Sequence, residues 1–132
     1  MAFRVALAAI VLALCAGLPS QAAFTLPAST RTEIDVLLGQ LQSSSCAFNR
    51  NGVWHTAGDA RAHLLRKLRH LEERGAVRSA EDFVELAAST SSVNGTPYLV
   101  RCGAGEPVAS RAWLLAQLKL LRTFGTGNGP AG

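Results

Sequence analysis

The side chains of this 132-residue chain that are best suited to chemistry are a set of cations and a run of hydroxyls. His63, Lys67, His70 and Arg74 recur at intervals of three and four residues, which places them together along one side of a helix. No acidic residue belongs to this basic stripe, so it favours contact with an anionic envelope component, a lipid headgroup or an acidic protein. A solvated helix surface has the same composition and is the simpler interpretation.

Hydrolytic chemistry would need a serine nucleophile, a histidine and an orienting acid. The hydroxyl run at 89–92 supplies serines, but neither a G-x-S-x-G elbow nor an S-x-x-K motif occurs. The sequence therefore predicts no catalytic residue. The alternative that stays open is a small periplasmic hydrolase in which His55 or His63 acts with the Ser89–Ser92 loop.

The histidines offer little for a metal ion. His63 and His70 lie about 10 Å apart along a helix axis, too far to share one small cation. Metal-binding helices use pairs three or four residues apart, and neither such a pair nor a CxxC motif is present. The sequence therefore predicts no metal site and no cofactor.

The N-terminal residues predict the compartment in which these side chains act. Arg4 precedes an unbroken apolar run over Val5–Ala16, and Ser20-Gln21-Ala22 fits a small-x-small cleavage site. The run is shorter than the roughly 20 residues that a bilayer-spanning helix needs. We therefore expect a signal peptide over residues 1–22 and a periplasmic or secreted protein after cleavage near Ala22.

Two alternatives for this leader stay open. Cleavage after Ala23 fits nearly as well. A lipoprotein signal would end at Cys15, but the large Leu14 stands where a small residue is usual.

Signal removal changes the charge and the cysteine count of the mature chain. Loss of Arg4 leaves 13 − 1 = 12 basic against 9 acidic residues, a net charge of +3, which is too weak to indicate a nucleic-acid partner. Cys46 and Cys102 remain, and an even count in an oxidising compartment favours one disulfide, with a free catalytic thiol as the alternative. No later segment is long and apolar enough to span a bilayer.

The elements that position these residues begin with a helix and a hairpin. Thr30 and Glu33 have capping-box spacing before an amphipathic helical pattern. Asn51-Gly52 predicts a type I′ turn between a strand at 46–50 and a short strand at 53–55.

Three more helices and one strand follow. The second helix is expected to open at Asp59-Ala60 and to close at Gly75, and Ser79 caps a short third helix. Residues 96–102 alternate as a strand, 103–107 form a loop, and Ser110 caps a final helix over 111–122.

This order predicts an α+β fold in which a small antiparallel sheet, made of the hairpin plus one late strand, packs against about four helices. The disulfide would link the late strand to the hairpin. One domain is expected over residues 23–123, followed by a disordered tail at 124–132.

The final helix is apolar on nearly every side. Burial in the core explains most of these residues, but a domain this small has difficulty covering a whole helix. The sequence therefore also predicts a homodimer or partner contact through Trp113, Leu114, Leu118 and Leu121.

Four short motifs occur in a characteristic order and spacing. They are Phe48-x-Arg50-Asn51-Gly52, Ala80-Glu81-x-Phe83, Ala88-Ser89-x-Ser91-Ser92 and Gly95-x-Pro97-Tyr98. Together they resemble the YfeK-like family of small exported proteins of Gram-negative bacteria, a domain of unknown function, from about Ile34 to Leu121. The resemblance implies export and a single α+β domain, and it supplies no catalytic assignment.

The resemblance also marks a set of candidate binding residues on different elements. They are Arg50, His63, Lys67, Ser91, Ser92 and Tyr98, with Ser89 beside them. One interpretation is that they converge on a ligand surface; the other is an internal hydrogen-bond network that ties the serine loop to the sheet. We therefore expect a non-catalytic binding or accessory protein of the envelope, whose partner is an envelope protein or an anionic envelope component.

Overall fold

A computed structural model describes residues 16–17 and 25–125 of the chain, and within them four helices pack against one another and, through the second and fourth, against a four-stranded sheet. The elements are α1 (Ala28–Ser43), β1 (Ala47–Arg50), β2 (Val53–His55), α2 (Ala57–Glu73), α3 (Ala80–Ala87), β3 (Leu99–Arg101), β4 (Val108–Ala109) and α4 (Ser110–Gly125). Every strand pair is antiparallel, in the order β2-β1-β3-β4. The predicted α+β class is confirmed.

The hairpin of β1 and β2 forms where the Asn-Gly pair predicts it. Asn51 and Gly52 have φ angles of 53° and 81°, the positive values that such a turn requires. The Gly52 amide donates to Oδ1 of Asn49 over 3.1 Å. The resulting register pairs Phe48 with His55, so these two side chains lie on the same face of the sheet.

The second half of the sheet differs from the prediction in length and in number of strands. β3 is limited to Leu99–Arg101, because Pro97 instead forms an isolated bridge with Thr90. β4 is only two residues long and continues the sheet beside β3. It was not predicted, because two residues are too few to show an alternation of apolar and polar side chains.

The disulfide joins Cys46 to Cys102 and confirms the predicted pairing. Ala47 and Arg101 are directly paired in the ladder between β1 and β3, so the cysteines one position further out face each other, with their Cα atoms 4.3 Å apart. The bond therefore fastens the hairpin to the late strand, as expected.

Three helix starts were predicted wrongly. α1 begins at Ala28 after Pro27, and the Thr30 hydroxyl donates to the carbonyl of Arg78 over 3.3 Å instead of capping the helix. α2 begins two residues early because Thr56 accepts from the Asp59 amide and caps it. Ser110 is the first residue of α4, and its buried hydroxyl has no hydrogen-bond partner among the described residues.

Two helix boundaries match the sequence patterns. Gly75, with φ of 64°, ends α2: its amide bonds to the carbonyl of Glu72, and the next amide bonds to that of Leu71. Ser79 caps α3 by accepting from the Asp82 amide over 3.1 Å.

A single core lies between the helices and the sheet. Its fully buried members come from all four helices and from β1 and β3, with Leu37, Leu64, Phe83, Leu114 and Phe48 as examples. Burial of large apolar side chains of this kind stabilises the fold by about 1.5–3 kcal/mol each before the entropy cost is counted.

The apolar surface of α4 is divided between the core and solvent. Leu114 and Leu118 are buried in the core and are therefore not available for the predicted homodimer contact. Trp113 and Leu121 are partly exposed, and the contact stays a prediction that rests on them.

Among the described residues, no helix has the length and apolarity to cross a membrane. The predicted signal peptide lies outside the described residues except for 16–17. Of the predicted tail, Phe124 and Gly125 belong to α4, and residues 126–132 lie outside the described part.

Candidate functional site

Four of the predicted binding residues meet at one place between α2 and the sheet. Arg50 comes from the end of β1, His63 and Lys67 from successive turns of α2, and Tyr98 from the residue that precedes β3. The disulfide and the hairpin fix β1 beside β3, while α2 packs across β1. We refer to these four residues as the Tyr98 cluster.

Tyr98 is the buried centre of the cluster. Only 2% of its surface is exposed, and its ring packs against that of Phe48 with the centroids 5.1 Å apart. The ammonium of Lys67 lies 5.0 Å from the ring centroid and donates to the hydroxyl over 3.3 Å. Because the tyrosine is held on both sides, its hydroxyl is a fixed point around which the cations are arranged.

Arg50 determines the tautomer of His63. One guanidinium nitrogen lies 2.6 Å from Nδ1 of the ring, and because guanidinium can only donate, Nδ1 must accept. The ring proton is then on Nε2, which lies 3.3 Å from the Tyr98 hydroxyl and donates to it. Lys67 and His63 thus both donate to one hydroxyl oxygen.

The electrostatic environment of the cluster disfavours further positive charge. Burial of the ring, followed by the charges of Arg50 and Lys67, lowers the pKa of His63 from 6.5 to about 4. Burial and then the charge of Arg50 lower the pKa of Lys67 below its usual value. Burial raises the pKa of Tyr98, against the opposite effect of Arg50. His63 is therefore neutral at pH 7, while Arg50 and Lys67 carry the positive charge.

The serine loop after α3 has mainly a structural role. Ser89 is buried and its hydroxyl donates to the carbonyl of Val84 over 2.7 Å, close to the end of α3. Ser91 is also buried, and its hydroxyl accepts from the Val93 amide. Neither hydroxyl contacts the Tyr98 cluster, although the Ser89 carbonyl accepts from the Tyr98 amide over 2.9 Å. The loop contributes instead through the carbonyl of Thr90, which accepts from Lys67 over 3.2 Å.

Two adjoining depressions border the cluster. A small pocket of about 230 Å³ is lined by Arg50, His63 and Arg66, with Phe48 beneath. A larger groove of about 500 Å³ runs along α2 and shares His63 and Arg66 with the pocket.

The groove contains every member of the basic stripe. Its α2 side carries His63, Arg66, Lys67, His70, Leu71 and Arg74, and its other side is formed by Leu86 of α3 and by Ser92. Ser92 is thus the predicted serine that reaches a surface site. Sequence reasoning missed Arg66, although its position three residues after His63 and four before His70 fits the same helix face.

Acidic residues are paired elsewhere on the molecule. Ion pairs join Arg31 to Glu72, Arg111 to Glu85, and Arg122 to both Glu33 and Glu81. Within the described residues, none of the cations of the cluster or the groove forms such a pair. No described carboxylate lines the groove, and Asp59 is the single described carboxylate that borders the small pocket.

Catalytic and metal sites gain no support from this geometry. In the part of the chain that the structure describes, His63 bonds to Arg50 and Tyr98, and no hydrogen bond joins a histidine to a serine or a carboxylate. The hydrolase alternative is therefore unsupported. The same part contains no group of three or more histidine, cysteine or acidic residues arranged to hold a metal ion.

Comparison with known proteins agrees with the resemblance seen in the motifs. A family of unknown function, DUF5329, matches residues 28–122, which include all four helices nearly to their ends and the whole Tyr98 cluster. A protein of Salmonella typhimurium named "Uncharacterized protein YfeK" is 36% identical over 89 residues, which make up 67% of this chain and 71% of that protein. No solved structure matches the chain. This chain belongs to the DUF5329 family.

Proposed function

We propose that the mature protein is an exported, non-catalytic binding protein of the cell envelope that holds an anionic group at the Tyr98 cluster. The observation that carries this proposal is the excess of donors over acceptors. Arg50 and Lys67 each have more N–H donors than the acceptors that they contact in the cluster, and no carboxylate is paired with them among the described residues.

The cost of assembling like charges supports a ligand interpretation over a purely structural one. A structural network would be more stable with a carboxylate between Arg50 and Lys67, because a partly buried cation without a counter-charge loses some of its solvation. Burial first, and then the positive charge of Arg50, lower the pKa values of His63 and Lys67, and no carboxylate among the described residues offsets these effects. An anion with two or more oxygens would accept from both cations and restore the balance.

The size and accessibility of the small pocket fit this role. A volume of about 230 Å³ holds a phosphate or carboxylate group with some water but excludes a large ring system. Arg66 borders the same pocket from α2 and adds a second cation to Arg50, Asp59 lies at its border, and Lys67 lines the adjoining groove. The pocket is bounded by β1 and α2, two rigid elements, so the donors are positioned before the ligand arrives.

Support for export comes from the leader. An arginine, an apolar run of about a dozen residues and a small-x-small site precede the domain, and the mature part carries a disulfide, which persists in oxidising compartments. The intact mass of protein recovered from a periplasmic extract tests this part. We expect the mass of a chain that begins at Ala23 and is two hydrogens lighter than the reduced form; a full-length, reduced chain in the cytoplasm would contradict it.

The binding proposal is tested by an NMR titration of the mature protein with pyrophosphate. We expect saturable shifts of the His63 ring, the Lys67 side chain and the Tyr98 ring, which weaken as salt is added. The chain has two lysines, so Lys119 on α4 is an internal reference that should not shift. Equal shifts at both lysines would mean unspecific attraction to a basic protein and would refute the proposal.

A further inference from the structure

The groove beside the Tyr98 cluster extends much further than one small anion requires. Its cationic side runs from His63 to Arg74, about 16 Å along α2 at 1.5 Å per residue. A single phosphate or carboxylate group at the cluster cannot reach Arg74. If the proposed function holds, the rest of the groove still presents cations that an extended ligand would satisfy.

The basic side chains along this side of the groove recur at steps of three and four residues, and Lys67 and Arg74 are the permanent cations among them. Steps of four, three and four residues from His63 through Lys67 and His70 to Arg74 correspond to about 6, 4.5 and 6 Å along the axis. In an extended peptide, side chains on the same face repeat at about 6.6 Å. Acidic residues at alternate positions of such a peptide would therefore lie along this side of the groove within reach of Lys67 and Arg74, with the imidazoles of His63 and His70 beside these cations.

The second wall of the groove is different in character. Leu86 lies there with 47% of its surface exposed, and the partly buried Leu71 lies below it at the junction with α2. Apolar surface of this kind gains nothing from a uniformly charged polymer such as polyphosphate or an acidic glycan. Alternate side chains of an extended peptide point to opposite sides, so one face can meet the cations and the other can cover Leu86.

We infer that the groove binds an extended acidic segment of a partner protein, with carboxylates at alternate positions along α2 and apolar side chains over Leu71 and Leu86. This inference rests on the proposed function, because one carboxylate occupies the Tyr98 cluster. Ser92, on the apolar side, is placed to bond to the peptide backbone. Acidic-segment recognition by clustered cations is a known mode of peptide binding.

The test is calorimetric titration of the mature, oxidised protein with short acetylated and amidated peptides. The first peptide has glutamate at its odd positions and leucine or alanine between them. The second has the same composition with the glutamates consecutive, and the third has glutamine for glutamate. We expect the alternating peptide to bind about threefold or more tightly than the consecutive one, and the glutamine peptide not to bind.

Two surface variants locate the contact without affecting the core. Arg74→Gln should weaken the alternating peptide about threefold and leave pyrophosphate binding unchanged, because Arg74 lies at the far end of the groove. Leu86→Ser should remove the preference for alternation. Both side chains are exposed, so we expect both variants to fold, which far-UV circular dichroism confirms.

The outcomes separate this inference from the proposed function. Equal affinity for the alternating and consecutive peptides, or tighter binding of linear polyphosphate or of dodecyl phosphate than of any peptide, would overturn the peptide assignment while pyrophosphate binding persists. If the wild-type protein does not bind pyrophosphate at all, the proposed anion site itself is refuted.

Discussion

Arg50 and His63 are joined by a hydrogen bond of 2.6 Å in which the guanidinium donates to an unprotonated ring nitrogen. The pair consists of a permanent cation and a titratable base, and it is stable only while the base is neutral. Lys67, on the next turn of α2, adds to the same effect. Protonation of His63 and binding of an anion at the cluster are therefore coupled through charge.

The stability of the fold should fall as the pH drops below 6.5, because His63 resists protonation in the folded state. Its pKa of about 4 lies below the unfolded value, so its contribution is complete above pH 6.5 and is lost as the pH falls towards 4. We expect a loss of about 2 kcal/mol over that window, allowing for partial solvent screening. Urea unfolding at several pH values measures it, and His63→Gln should flatten the curve; an unchanged slope would contradict the assignment.

Anion binding should take up a proton at His63 in the same pH window. An anion beside Arg50 and Lys67 offsets the charges that lower the pKa of the ring, so affinity should increase as the pH falls from 6.5 towards 4. Calorimetry in buffers of different ionisation enthalpy counts the protons. His63→Gln should take up fewer protons than the wild type on binding pyrophosphate, because the ligand's own protonation change is common to both proteins; equal uptake by the two would assign the proton to another group.

Removing the Tyr98 hydroxyl should weaken the fold only modestly. Tyr98→Phe keeps the buried ring against Phe48 but leaves the Nε2 proton of His63 without its acceptor, which costs about 1–2 kcal/mol. Tyr98→Ala also creates a cavity and should cost about 3–5 kcal/mol. Denaturant unfolding compares the two, and an unchanged stability of Tyr98→Phe would mean that the hydroxyl has no role beside the ring.

The disulfide should be the largest single covalent contribution to stability. It closes a loop with a sequence separation of 56 residues, for which the chain-entropy model gives about 4 kcal/mol. The Cys46→Ala/Cys102→Ala double variant should lose that amount and should then be insensitive to reductant. A wild-type protein whose unfolding midpoint does not change on reduction would contradict the prediction.

The two faces of α4 should respond differently to truncation. Leu114→Ala removes a fully buried side chain and should cost about 2–5 kcal/mol, whereas Leu120→Ala truncates a side chain that is 49% exposed and should cost less than about 0.5 kcal/mol. Thermal or denaturant unfolding distinguishes them. A large loss for Leu120→Ala would indicate that a partner or a second copy covers this surface.

The parts of the fold that could be predicted from the sequence are those determined by residues close together in the chain. Asn51-Gly52 predicts its hairpin because both residues tolerate positive φ, and Gly75 ends α2 for the same reason. The disulfide between Cys46 and Cys102 could be predicted because two cysteines remain after signal removal in a compartment inferred to be oxidising. The Thr30 cap was wrong because a distant carbonyl, that of Arg78, competes for the same hydroxyl. No local pattern reports such a contact.

The arrangement of the site could be predicted from the sequence only in part. The basic stripe was visible as a helix period, and Arg66 belongs to it by the same spacing. The position of Tyr98 against Lys67 depends on the β1–β3 pairing and on the packing of α2 across the sheet, which join residues far apart in the chain. On the opposite face of the sheet, the guanidinium of Arg101 lies 4.2 Å from the ring centroid of Trp54. This contact was not predicted, because it too depends on strand pairing between residues far apart in the chain.

The most direct measurement is the affinity of the mature protein for pyrophosphate in two matched lysine variants at low ionic strength. Lys67→Met should weaken binding about tenfold or more, since a charge-assisted hydrogen bond is lost, whereas Lys119→Met should change it by less than about twofold. If both variants bind like the wild type, or both weaken equally, the Tyr98 cluster is not an anion site.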